Sequence, residues 1–146
     1  MKLIPIALVA LSLLVGCSDP SGGGEMIAEE YANGQLKSRG YIKGKNIRTG
    51  GWTFWYEDGQ KESEGRYVDH QREGLWTNWD ENGQKSKGEY KDGKQEGLWT
   101  EWRENGKKWG EGEYKDGKIK GLWTYWRDNG HKWGTGNYKD GKREGL

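Results

Sequence analysis

Gly97-Leu98-Trp99-Thr100-Glu101-Trp102 decides the fold, because the chain repeats it. Gly74 to Trp79 and Gly121 to Trp126 carry the same Gly-Leu-Trp-Thr-x-Trp phrase, and Gly51 to Trp55 carries a variant, Gly-Trp-Thr-Phe-Trp. The first Trp of each copy is Trp52, Trp76, Trp99 or Trp123, so the copies step by 24, 23 and 24 residues. A fixed step of this size marks a repeat array. Arrays present extended surfaces and seldom house a single reaction centre.

Outward from the phrase, each unit holds two turn signals. One is Asn-Gly or Asp-Gly at Asn33-Gly34, Asp58-Gly59, Asn82-Gly83, Asn105-Gly106 and Asn129-Gly130. The other is Asp-Gly at Asp92-Gly93, Asp116-Gly117 and Asp140-Gly141, with degenerate forms at Lys43-Gly44 and Asp69-His70. Such dipeptides tolerate positive φ at both central positions, as type I′ hairpin turns require. The stretches between them are short and rich in Trp, Tyr and Thr, which favour strands. The expectation is an all-β, elongated antiparallel meander, two strands per unit and about five units. About 10 strands at roughly 4.8 Å spacing would extend some 45 Å. Trp99 and Trp102 are three apart, as are Trp76 and Trp79, and Trp123 and Trp126. Either both faces of a single-layer sheet carry aromatics, or a bulge beside the Gly re-aims one ring.

The run Gly88-Glu89-Tyr90-Lys91-Asp92-Gly93-Lys94-Gln95-Glu96-Gly97-Leu98-Trp99 resembles the MORN repeat variant of bacteria, and the likeness covers Tyr31 to Leu146. The resemblance implies an array of β-hairpins acting as a protein- or membrane-interaction scaffold. Some bacterial members of that family are antitoxin components of toxin–antitoxin pairs. The first copy departs from the pattern: Ile47 to Gly51 lacks the usual Glu-Gly-Leu, and no Trp precedes Tyr31. Atypical end repeats cap a stack.

The first residues read as an address. Leu3 to Val15 is an apolar run of signal-peptide length, too short to span a bilayer as a helix. It leads into Leu14-Val15-Gly16-Cys17, which resembles the lipobox of bacterial lipoproteins. The resemblance implies a signal peptide over residues 1–16, cleavage between Gly16 and Cys17, and lipidation of Cys17 by diacylglyceryl and acyl (palmitate-type) chains. Acyl chains anchor by roughly 0.8 kcal/mol per buried CH₂. Ser18 after the cysteine implies the outer membrane in a Gram-negative cell, and a Gram-positive plasma-membrane lipoprotein is the alternative. Residues 17–28 read as the lipidated Cys and a flexible tether, with Ser, Gly and Pro in linker proportions. Residues 29–146 read as the repeat array. Cys17 is the only cysteine, so the chain forms no internal disulfide.

Charge excludes one class of partner. Lys2 is the only charged residue of the first 16, which leaves 23 basic and 23 acidic residues in the remainder. Nucleic-acid binding needs a basic stripe, whereas here Lys and Glu alternate as on a solvated surface. All 10 Trp and 8 Tyr lie at Tyr31 or later, and they suit a thin sheet whose rings cover its faces.

Nothing in the spacing assembles a catalytic set, and no cofactor or metal is expected. His70 and His131 replace turn residues of different copies, and a metal site needs convergent ligands. Asp92, Asp116 and Asp140 are explained by their turns rather than by calcium. Trp76, Trp99 and Trp123, with Trp79, Trp102 and Trp126, read as the repeat's own packing. Trp109 and Trp133 occur in the last two copies only, so they are the candidate binding patch. The expected function is a lipid-anchored, non-enzymatic scaffold in the cell envelope, contacting the membrane through its lipid and an unidentified envelope protein through its sheet. Glycan or peptidoglycan binding through stacked Trp faces is one alternative, and an antitoxin or immunity-type role is another.

Overall fold

The computed structural model describes residues 11–13 and 24–145. They form one open antiparallel sheet of twelve strands whose spatial order is the chain order. The strands are β1 (Leu11–Leu13), β2 (Glu25–Glu30), β3 (Leu36–Lys43), β4 (Ile47–Trp55), β5 (Lys61–Val68) and β6 (Gln71–Trp79). They continue as β7 (Lys85–Lys91), β8 (Lys94–Trp102), β9 (Lys108–Lys115), β10 (Lys118–Trp126), β11 (Lys132–Lys139) and β12 (Lys142–Glu144). The all-β meander of hairpins read from the sequence is the observed fold. Among the described residues there is no second layer, so the sheet must stabilise itself with its own side chains.

It does so with one ladder of rings. Trp52, Trp76, Trp99 and Trp123 are buried, Trp76 completely. Between them stand Tyr67, Tyr90 and Tyr114, giving an unbroken Trp–Tyr series with ring centroids 5.1 to 6.0 Å apart and planes close to perpendicular. Edge-to-face pairs contribute about 0.5–1.5 kcal/mol each beyond the area they bury. Each Trp lies flat on a glycine of the preceding strand. A Cβ on Gly40, Gly65, Gly88 or Gly112 would stand 2.2 to 2.4 Å from the indole of Trp52, Trp76, Trp99 or Trp123. The strand pairing skips beside these glycines, between Lys87 and Glu89 for example. There the indole N–H donates to the main chain: Trp76 to the Arg66 carbonyl at 3.0 Å and Trp99 to the Glu89 carbonyl at 3.2 Å. A buried N–H left unpaired is costly, so the Gly-x pair ahead of each strand end supplies both the seat and the acceptor.

Of the two sequence alternatives for the second Trp, the first holds: the skip beside the Gly does not bring both rings of a phrase to one face. The ladder skips beside the Gly, and the opposite face also carries rings. Trp79, Trp102 and Trp126 are half-buried there under the ammonium groups of Lys61, Lys85 and Lys108, at 5.8, 4.3 and 4.1 Å from the ring centroids. Trp and Lys of consecutive strands thus make cation–π pairs.

The two turn types differ, which corrects the expectation of type I′ at both. Asp92-Gly93, Asp116-Gly117 and Asp140-Gly141 have positive φ at both residues, as does Asp69-His70. At the other signal only the glycine does, for instance Gly34 at 83° and Gly59 at 87°. There the side chain caps the turn: Asn33 Oδ1 accepts from the Gln35 N–H at 2.9 Å and Asp58 Oδ1 from the Gln60 N–H at 2.8 Å. Gly34 N–H closes on the Tyr31 carbonyl at 3.0 Å. This is a three-residue loop whose last residue is left-handed. Lys43-Gly44 opens a longer turn with positive φ at Gly44 and Asn46.

The sheet starts earlier than expected. β2 begins at Glu25, inside the 17–28 stretch read as tether and ahead of residue 29. Ile27 pairs with Gly40, as Trp52 pairs with Gly65, and both Ile27 and Ala28 are buried. An isoleucine holds the Trp position of a first hairpin, and Ile42 packs with it on the same cluster. An aliphatic substitute breaks the aromatic spelling but fills the same seat. Leu11–Leu13 pairs with Ile27–Glu29 at the outer edge of β2. The rest of the expected 1–16 leader, Gly16, Cys17 with the lipid expected on it, the expected tether as far as residue 23, and Leu146 lie outside the described residues.

Candidate interaction surface

The alternation of 24- and 23-residue copies has a local cause. In β8/β9, Glu101 pairs with Gly110 and Trp102 with Lys108, so Trp109 is the extra residue of a β-bulge. In β10/β11, Tyr125 pairs with Gly134 and Trp126 with Lys132, which makes Trp133 the extra residue. Glu62 holds the same place in β4/β5. In β6/β7 the pairs Asn78–Ser86 and Trp79–Lys85 are continuous, and there is no bulge. A bulge residue is outside the ladder of hydrogen bonds and re-aims its side chain. Trp109 and Trp133 are therefore additions to the repeat rather than parts of its packing.

Both meet on Tyr125. The Trp109 ring lies 6.0 Å from it at 29°, and the Trp133 ring 6.2 Å from it at 70°. Tyr125 is itself 6.3 Å from Trp123, which places all three on the face of the main ring ladder. Its hydroxyl is 2.8 Å from that of Tyr138. Burial, then that hydrogen bond, holds the Tyr125 phenol well above its ordinary titration range. Trp133 is 67 % exposed, the most exposed of the large apolar side chains among the described residues. Leu75, Leu98 and Leu122 are also exposed, at 55–59 %, but each faces a polar partner across the register, Glu89, Glu113 and Asn137. They are isolated side chains of a kind any surface carries.

Sequence reading missed two residues of this surface, Tyr125 and Glu101. Both occupy the x of Gly-Leu-Trp-Thr-x-Trp, the one position inside the phrase that changes from copy to copy: Phe54, Asn78, Glu101, Tyr125. Being two residues from the buried Trp, x points to the same face, and its variability was the available signal. Glu101 is half-buried, and burial raises its carboxyl above the ordinary value of 4.5. Burial first, then the charge of Glu101, also raises the Tyr114 phenol.

Trp76, Trp99 and Trp123 sit in the ladder, and Trp79, Trp102 and Trp126 on the other face. His70 and His131 stand in turns of different hairpins. Among the described residues no three His, Cys, Asp or Glu side chains converge as metal ligands would. Ion pairs such as Lys115–Glu96 at 2.6 Å and Arg103–Asp128 at 2.7 Å lie on the solvated surface and add little individually.

Residues 48–69, 72–92 and 95–116 match the family model of the MORN repeat variant. No curated protein matches the chain significantly. The matched segments are the hairpins β4/β5, β6/β7 and β8/β9, each running from the strand start to the next turn, and β10/β11 repeats their register. These three central hairpins are thus similar to MORN repeat variants.

Proposed function

We propose that this protein is a non-catalytic interaction scaffold, held at a cell-envelope membrane by a lipid on Cys17, that binds another protein of the envelope through Trp109, Tyr125 and Trp133. The observation that carries the reading is the position of the two Trp residues. They occupy bulges that another hairpin of the same array does without, and on one face they set the exposed ring of Trp133 near the half-buried ring of Trp109. Aromatic residues of this kind are over-represented among the residues that dominate protein interfaces. A balanced surface charge favours a protein partner over nucleic acid. The sequence resemblance of Leu14 to Cys17 to a lipobox supports the anchor, as does the flexible composition of the residues that follow.

The test is capture from crosslinked intact cells, comparing the unaltered chain with Trp109→Ala/Trp133→Ala and with Cys17→Ala. The expected result is one envelope protein recovered with the unaltered chain, lost with the Trp variant at unchanged circular dichroism, and depleted when Cys17 is replaced. Recovery independent of both rings would contradict the surface. Recovery of cell-wall glycan instead would favour the second reading, in which the three neighbouring rings stack on sugars.

A further inference from the structure

Glu101 breaks a rule that the copies in β4 and β6 keep. In β4, Arg48 lies over Trp52, Phe54 and Tyr67, at 4.8, 5.3 and 5.6 Å from the ring centroids. In β6, Arg72 lies 4.2 Å over Trp76 and donates to Asn78 Oδ1 at 3.1 Å and to the Tyr90 hydroxyl at 3.3 Å. The x residue of those copies therefore has a guanidinium against it. In β8 the arginine position is Gln95, and x is Glu101. In β10 the two are Ile119 and Tyr125, with Tyr125 paired to Tyr138. So the copy that places a full negative charge at x is a copy that lacks the cation. Among the described residues, Glu101 has neither a hydrogen bond nor an ion pair.

Glu101 also has space around it. Gly110 across the register leaves room for its carboxylate, since a Cβ there would stand 2.9 Å from Oε2. On its other side a pocket of about 260 Å³ opens, with Asn78, Asp80, Lys85, Ser86, Glu101 and Trp109 among its nine lining residues. Ser86 is its floor, paired with both Asn78 and Glu101, and no bulge crowds it because β6/β7 has none. The volume lies below the about 300–1,000 Å³ of sites for whole small molecules, and suits one side chain. Of the other charged groups that line it, Asp80 is engaged with the Asn82 and Gln84 N–H groups. Lys85 is turned over Trp102 on the opposite face. A half-buried carboxylate without a counter-ion is costly, and an aromatic wall beside it favours a flat cation. The chain's own Arg103 lies 5.8 Å from the Trp109 ring centroid, but its ion pair is with Asp128 and leaves Glu101 without one.

We propose that this pocket receives an arginine side chain of the protein partner, with Glu101 as counter-ion and the Trp109 ring as stacking surface. The inference rests on the scaffold reading for its partner and on the array's own Arg48 and Arg72 for its chemistry.

The experiment titrates the full chain with acetyl-Gly-Arg-Gly-amide and follows the Trp109 indole N–H resonance, with the uncharged citrulline peptide as control. A saturable shift is expected, weakened by about tenfold or more for citrulline and for Glu101→Gln, a factor that corresponds to ~1.4 kcal/mol. Gln95→Arg is the second variant. It supplies from within the chain the cation that Arg72 supplies to Asn78, so it is expected to abolish peptide binding while raising Tm. Equal shifts with the two peptides, or binding that survives both substitutions, would overturn the proposal. No shift, with Trp109-dependent capture intact, would overturn it and leave the scaffold reading standing. A Glu101-dependent shift with no protein captured would support the pocket and remove the scaffold reading.

Discussion

Two glycines of the ladder face show how much a single atom decides. Gly88 is the seat of the Trp99 indole, and an added Cβ would stand 2.4 Å from it. Gly134, on β11, has open space where its Cβ would be. Gly88→Ala is expected to destabilise by about 1–3 kcal/mol, the cost of overpacking a close-packed site. Gly134→Ala should be tolerated, and urea unfolding of the pair measures the difference. Comparable losses at both positions would mean that the rings are not seated as described. Glu101 gives a second residue-scale prediction. Its carboxyl is raised by burial, so its protonated form is the one that favours folding. That contribution is full below the ordinary glutamate range and is lost as pH rises through the raised value. Glu101→Gln should therefore gain in Tm over the unaltered chain as pH rises through and above the ordinary glutamate range. A difference that does not change with pH would contradict an unpaired, half-buried carboxylate. The sequence revealed Trp99 as packing and left Gly88 and Glu101 unread, because spacing names a repeated residue but not the atom that lies over it.

At the scale of the element, strands and turn positions were legible from Asn-Gly and Asp-Gly alone, whereas turn type was not. Asn33 and Asp58 bond to the main chain two residues on, and this capping selects the three-residue loop over the two-residue one. The first hairpin was illegible because Ile27 and Ile42 occupy its Trp and Tyr positions, and aliphatic residues do not spell the motif. Repeat length was read correctly as 23 or 24, yet its cause, an optional bulge, appears only in the register. The array can thus close with or without that residue. Deleting Glu62 should convert β4/β5 to the register of β6/β7, leaving circular dichroism unchanged and Tm nearly so. Deleting Thr77 instead shifts the alternation of Trp76 against Trp79, which turns one ring row to the wrong face. That variant should lose its cooperative unfolding. Similar behaviour of the two deletions would show that the bulge is not the dispensable element.

Across the whole molecule, the sheet is a single layer whose hairpins touch only their neighbours, so its stability is close to a sum of nearest-neighbour terms. Such a body offers two long faces and few enclosed volumes. One face is spent largely on the Trp–Tyr ladder, and toward β11 that face ends in rings the ladder does not need. This asymmetry separates a bare repeat from a repeat with a surface, and it underlies the proposed scaffold. The most direct test places a photo-crosslinking phenylalanine analogue at Trp133 in living cells, with a matched probe at Leu98 on the opposite face. The account predicts a discrete protein adduct from position 133 that is absent from position 98. No adduct at either position, or the same adducts at both, would contradict it.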